Sequence, residues 1–313
     1  MNELELYNVS VSPHTRQKDT TATIMRDVAI ALIPASLFGV YNFGLPALII
    51  LVTSVATSVL AEYVWQKLMK QPVRTGDCSA LVTGLLLGLN MPATVPIWLV
   101  MLGDIFAIIV VKQLFGGLGQ NFVNPALAAR CFLLISFASR MTTYPALDGV
   151  SGPTPLQLVK AGEAVNLSNM FLGRVSGVIG ETSVIAILIG AAYMLARRVI
   201  SLRIPLCYLL SFSVLILLIG GRGFDLHYLA AQLCGGGLML GAFFMATDYV
   251  TCPVTKTGRI VYGIFLGCMT AVFRKFGGAG VSYAILLGNL MVPLIEKITM
   301  PVPFGMKGKV VKR

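Results

Sequence analysis

The chain has 313 residues, of which 56% are hydrophobic and 12% charged, against roughly 25% charged in a soluble domain. That excludes an ordinary soluble globular fold, and at about 20 residues per crossing the expected class is an all-α polytopic membrane protein with about ten spans. The net charge of +11 reads as an orientation signal, because no basic cluster alternates with base-stacking aromatics as nucleic-acid binding requires.

In chain order, residues 1–26 are polar and lack the basic-then-apolar order of a cleavable targeting segment, so a cytoplasmic tail is expected. Charge-free runs predict two helices within 28–61, interrupted at Gly39, Gly44 and Pro46, then a short helix at 78–90, and helices at 96–115 and 124–138. A long connection follows at 139–177, then helices at 178–196, 204–221, 227–247, 259–273 and 280–296, and a basic tail at 300–313. The helix at 78–90 rises only about 20 Å, short of a hydrocarbon core of about 30 Å. With the N-terminus inside, alternate connections carry 17 Lys and Arg on the inner side and 6 on the outer. This bias predicts both termini in the cytoplasm and the long connection on the outer face.

A shift of 161 residues superimposes Gly76 on Gly237, Pro92 on Pro253, Thr94 on Thr255, and the FGGLG of 115–119 on the FGGAG of 276–280. One repeat length covers five segments, an odd number, so residues 27–138 and 178–299 are expected to be five-helix repeats of inverted orientation. In such folds short, Gly- and Pro-interrupted helices at corresponding positions line a midplane site. Here they are Cys78 to Pro92 and Gly235 to Pro253.

Ionisable side chains at bilayer depth face protein, water or a ligand. Four stand out: Asp104, Arg130, Glu181 and Asp248. Asp248 follows a helix end with free carbonyls, so it is a candidate on an ion path, or else pairs with Lys256 or Arg259. Asp104 is a second ion-path candidate or a member of an interhelical hydrogen bond, with Lys112 the one possible partner in its own helix. Glu181 is the third candidate. The six cysteines form no CxxC pair, and His14 and His227 are isolated, so no metal site is expected. Asn124 and Pro125 read as the N-cap and first residue of a helix. Thr154, Pro155 and Gln157 read as a capping box with proline at the first position. A helix start also favours a phosphate esterified to the Thr154 hydroxyl.

The chain resembles the RnfD membrane component of the Rnf-type ion-translocating ferredoxin:NAD⁺ oxidoreductases, a family related to the NqrB component of the Na⁺-translocating NADH:quinone oxidoreductases. Nearly the whole chain takes part: Ser12-Pro13-His14, Ile24-Met25 and Ala31 to Pro34, Ser79 to Leu87, Phe115 to Asn121 with Asn124-Pro125-Ala126, Ser151-Gly152-Pro153-Thr154, and Phe244 to Asp248. The resemblance implies an FMN joined by a phosphoester to Thr154 within Ser151, Gly152, Pro153 and Thr154. The family's motif has alanine where Pro153 stands. It also implies a second, non-covalent flavin of the riboflavin type, a fold related to urea transporters, and partners in an Rnf-type complex in a prokaryotic inner membrane.

The expected function is an electron-transfer subunit in which a flavin on the outer face passes electrons while Na⁺ or H⁺ crosses the bilayer. The chain alone is not expected to be catalytic, since it has no complete NADH, ferredoxin or iron-sulfur motif. The alternatives are an inverted-repeat solute channel or transporter without redox chemistry, and a purely structural subunit.

Overall fold

Each apolar run carries helix, and the breaks fall where glycine, proline or a capping side chain interrupts the backbone ladder. The computed structural model describes residues 20–144, 152–163, 165–221, 224–277 and 280–301, and all regular elements among them are helical. Ser12-Pro13-His14, Ser151 and nearly all of the basic tail lie outside the described residues.

The first half holds α1 (Thr21–Phe43), α2 (Leu45–Leu68), α3 (Ser79–Leu89), α4 (Ile97–Ile105, continuing as π-helical turns over Phe106–Gln113) and α5 (Pro125–Ser136). The connection carries three short helices, α6 (Ala138–Met141), α7 (Pro155–Ala161) and α8 (Leu167–Leu172). The second half holds α9 (Val184–Ala196), α10 (Arg203–Ile219), α11 (Leu226–Cys234), α12 (Leu238–Met245), α13 (Lys256–Phe276) and α14 (Gly280–Thr299).

Some boundaries depart from the sequence expectation. The chain breaks between α1 and α2 at Gly44 alone, whose φ of 67° suits glycine, with Pro46 in the first turn of α2. Gly39 lies inside α1, where it lets Ile179 pack directly on the helix. Helix α1 starts at Thr21, within the expected tail, because Thr20 and Thr23 form a reciprocal capping box. Helix α9 starts only at Val184, because the preceding residues pair with the end of α3.

By length and composition α1, α2 and α14 are each able to cross a membrane, and α11 with α12 is a pair bent by 63°, a broken span or a re-entrant loop. The distribution of polarity is that of a membrane protein. Ser54, Ser58, Glu62, Asp104 and Lys112 are buried while Leu37, Ile135 and Leu218 face outward. Helix α2 packs on α3 and α4, α13 on α10 and α14, and α1 on α9, which joins the two halves.

The α10–α13 contact is close because α13 presents Gly263 and Gly267, four residues apart, to Cys207, Tyr208 and Ser211 of α10. A Cβ at Gly267 would collide with the Ser211 hydroxyl and stand 2.6 Å from the Tyr208 carbonyl oxygen. Gly267→Val should therefore lower stability by about 1–3 kcal/mol, read as a drop in the thermal midpoint in detergent. Gly76→Ala, where a Cβ meets nothing within 4 Å, should leave it unchanged.

Candidate functional site

A helix that ends inside an apolar layer leaves carbonyls or amides without partners, and each such group must be met by protein. Helix α3 ends at Leu89, and its last carbonyls are met by the segment before α9: Gly180 N–H donates to Leu89 O at 2.7 Å and Ile179 N–H to Met91 O at 3.1 Å. The Asn90 amide closes the same end by donating to Leu86 O at 2.7 Å. The Asn90 side-chain oxygen accepts from Arg130 Nη1 of α5, and the same nitrogen lies 2.9 Å from Glu181 Oε1.

The break between α11 and α12 is met by charges of opposite sign. Buried Arg274 donates to the carbonyls of Gln232, Gly235 and Gly236 at the C-terminal end of α11, and its guanidinium stacks 4.9 Å from the Phe212 ring. A cation there complements the negative end of the helix dipole. At the other side of the break Gly237, with φ of 68°, precedes α12 and lies directly against Glu181 Oε1, where any Cβ would collide. Arg130 and Glu181 thus meet between the carbonyl end of α3 and the amide end of α12.

A cavity of about 210 Å³, lined by the long connection and termed the outer cavity, opens beside this pair. Thr154, Arg130, Tyr144, Glu181 and Gly236 are on its wall. Thr154 is the N-cap of α7 as expected: its N–H donates to Gln157 Oε1 at 2.8 Å, and its Oγ1 accepts from Gln157 N–H at 3.4 Å. The second bond is long and the residue half-exposed, so the hydroxyl remains open to chemistry. Gly152 and Pro153 lead into the cap.

A second cavity, of about 80 Å³, lies toward the opposite ends of α3 and α5 and is lined by Ser79, Thr83, Lys112, Asn124 and Asp248 among others. Asp248 stands in the turn after α12, where its carboxylate accepts from Val250 N–H at 3.4 Å and Thr251 Oγ1 at 3.2 Å. It makes no ion pair with Lys256 or Arg259 among the described residues; Arg259 instead donates to Pro253 O at 3.0 Å.

Lys112 does not serve Asp104. Its ammonium lies 2.8 Å from Glu62 Oε1 with both side chains buried, and it donates to Ser79 Oγ at 2.6 Å. Gln113 adds a 2.6 Å bond to Glu62, while Ser79 donates to Asp77 at 2.7 Å. Asp104 is the interhelical hydrogen-bond member that the sequence allowed. Its Oδ1 is 2.9 Å from Ser54 Oγ and 2.8 Å from Ser58 Oγ, and Ser54 Oγ is also 2.7 Å from Gly84 O. Asp104 accepts from both hydroxyls, and Ser54 shares its single hydrogen with the Gly84 carbonyl. The cluster clasps α2, α3 and α4 and is not on the wall of either cavity.

The three ion-path candidates therefore stand apart: Asp248 on the inner cavity, Glu181 on the outer one, Asp104 in a helix clasp. Sequence reading misses Glu62 and Arg274 because a charge at the edge of an apolar run reads as its end. Both stand one residue past such a run, yet α2 continues to Leu68 and α13 to Phe276. Lys112 and Arg274, counted with the connections in the charge bias, are buried. They remove one basic residue from each side and leave the bias intact.

Residues 8–305 match the NQR2, RnfD, RnfE family. The component designated D in the Na⁺-translocating ferredoxin:NAD⁺ oxidoreductase complex of Acetobacterium woodii is 48% identical, over 97% of this chain and 97% of its own length. The component of the same letter in the proton-translocating ferredoxin:NAD⁺ oxidoreductase complex of Clostridium ljungdahlii is 38% identical over 96% of each chain. Its counterpart in an ion-translocating oxidoreductase complex of Aliivibrio salmonicida is 36% identical over 96% of this chain and 98% of its own.

Removing one member of a buried ion pair leaves the other charge uncompensated, at about 3–5 kcal/mol. Glu62→Leu alone should lower stability by that order, whereas Glu62→Leu with Lys112→Met should recover most of it. A double-mutant cycle on thermal unfolding in detergent measures the difference.

Proposed function

We propose that this chain, which belongs to the NQR2, RnfD, RnfE family, is the RnfD-type membrane component of an ion-translocating ferredoxin:NAD⁺ oxidoreductase complex. The observation that carries this is the 48% identity to such a component over nearly the full length of both chains. The protein works with the other subunits of an Rnf-type complex in a prokaryotic inner membrane, moves Na⁺ or H⁺, and is not catalytic alone. Ten crossings arranged as two inverted repeats are supported by the helices themselves. In the 161-residue frame α1 falls on α9, α2 on α10, α3 on α12, α4 with its π-helical turns on α13, and α5 on α14. The charge bias supports cytoplasmic termini and an outer connection carrying Thr154.

The Thr154 hydroxyl fits a phosphoester: it is half-exposed, loosely bonded, and on the wall of the outer cavity. An FMN bound there would supply one- and two-electron chemistry; Thr154 would hold it, and Gly152 and Pro153, which lead into the cap, would present the hydroxyl. For the second, riboflavin-type flavin the described residues single out no donor set. Asp248 is the favoured ion-path carboxylate, since it faces the inner cavity with only local hydrogen bonds. Glu181 is committed to Arg130 and Asp104 to its clasp.

Thr154→Val deletes the ester oxygen with little change in volume. It should abolish flavin fluorescence of this chain on a denaturing gel while leaving the chain in the membrane fraction; a fluorescent Thr154→Val band sinks the assignment.

Asp248→Asn keeps the shape and removes the charge. In proteoliposomes holding the whole complex, ions moved per electron should fall while flavin content is retained. An unchanged ratio takes Asp248 off the ion path.

A further inference from the structure

The two cavities nearly meet. On α3, Leu86 borders the inner cavity, and Asn90, four residues later, holds the Arg130 side chain that borders the outer one. On α5, Ala126 borders the inner cavity and Arg130 the outer. Four residues of helix rise about 6 Å, so one helical turn separates the two spaces along α5. That layer includes Asn90, Arg130 and Glu181, with the Asn90 amide 3.9 Å from the Met245 sulfur on the α12 side.

Between the ends of two half-helices is where folds of this kind seat a small ion or substrate. Here the protein has filled the place with its own charges. Arg130, through Asn90, lies at the carbonyl end of α3, and Glu181 lies against the amide end of α12. A guanidinium fixed in a narrow passage repels cations and protons alike. Both polar contacts of Arg130 run through Nη1, while Nε is buried with no partner among the described residues. The side chain is thus held by a single nitrogen of its guanidinium.

We propose that Arg130 is a tethered cation, locked by Asn90 and Glu181, that closes the path between the inner and outer cavities and keeps the subunit ion-tight when no electrons flow. This rests on the chain's role in ion translocation, and its test is separable from that role because the flux is measured without any electron donor. The complete complex carrying Arg130→Gln together with Glu181→Gln, which leaves no unpaired buried charge, is placed in vesicles loaded with a pH-sensitive dye and exposed to radiolabelled Na⁺. Passive entry of Na⁺ or H⁺ should rise roughly tenfold over the parent, the change produced by about 1.4 kcal/mol of lost barrier. Asn90→Ala, which frees Arg130 from α3 and leaves the ion pair, should raise it severalfold, and it decides the matter if the double variant fails to assemble. Assembled variants as tight as the parent overturn the proposal. Failure of the parent vesicles to accumulate ions on adding reduced donor would instead overturn the proposed function, and leaves the leak comparison interpretable.

Discussion

A peptide group without a partner in an apolar surrounding costs several kcal/mol, and this fold buries helix ends in its interior. Helix α3 stops at Leu89, and the helix pair beginning at Leu226 is interrupted at Gly235 to Gly237. The structure follows from how those ends are met. The segment Val178 to Glu181 pairs with the end of α3 instead of joining α9, so it reaches the centre of the protein from the connection. Arg274 is drawn to the carbonyls of α11, where three backbone acceptors and the face of Phe212 hold it without an ion pair among the described residues.

The same requirement positions the chemistry. Once Ile179 and Gly180 are fixed on α3, Glu181 has to lie against Gly237, and Arg130 is held between Glu181 and Asn90. Thr154 on α7 borders the space above this pair, and Asp248 the space below it. Thr154 and Asp248 therefore lie on opposite sides of one thin polar layer.

Around this centre the remaining buried polar groups are arranged for rigidity. Glu62, Lys112, Gln113, Ser79 and Asp77 tie α2, the π-helical end of α4 and the start of α3 together. Asp104 with Ser54 and Ser58 ties the same helices further along, at a point where Gly84 brings α3 close to α2. A helix pair that cannot use the hydrophobic effect to associate within lipid relies on such contacts and on small residues.

The sequence alone determined the helical membrane class, the order of the helices, the caps at Asn124 and Thr154, and the family. Each depends on composition, on residues within one turn of each other, or on motifs spread along the chain. It also singled out Asp104, Arg130, Glu181 and Asp248, because a charge within an apolar run is conspicuous. It did not reveal Glu62 or Arg274, since a charge at the edge of an apolar run looks like the end of a helix until the packing shows the helix running past it. Nor did it pair Lys112 with Glu62, or Arg130 with Glu181, partners separated by 50 and 51 residues. Such pairings are decided by which helices lie side by side, and that is set by glycine contacts and by the need to satisfy broken helix ends, neither of which leaves a periodic trace in the chain.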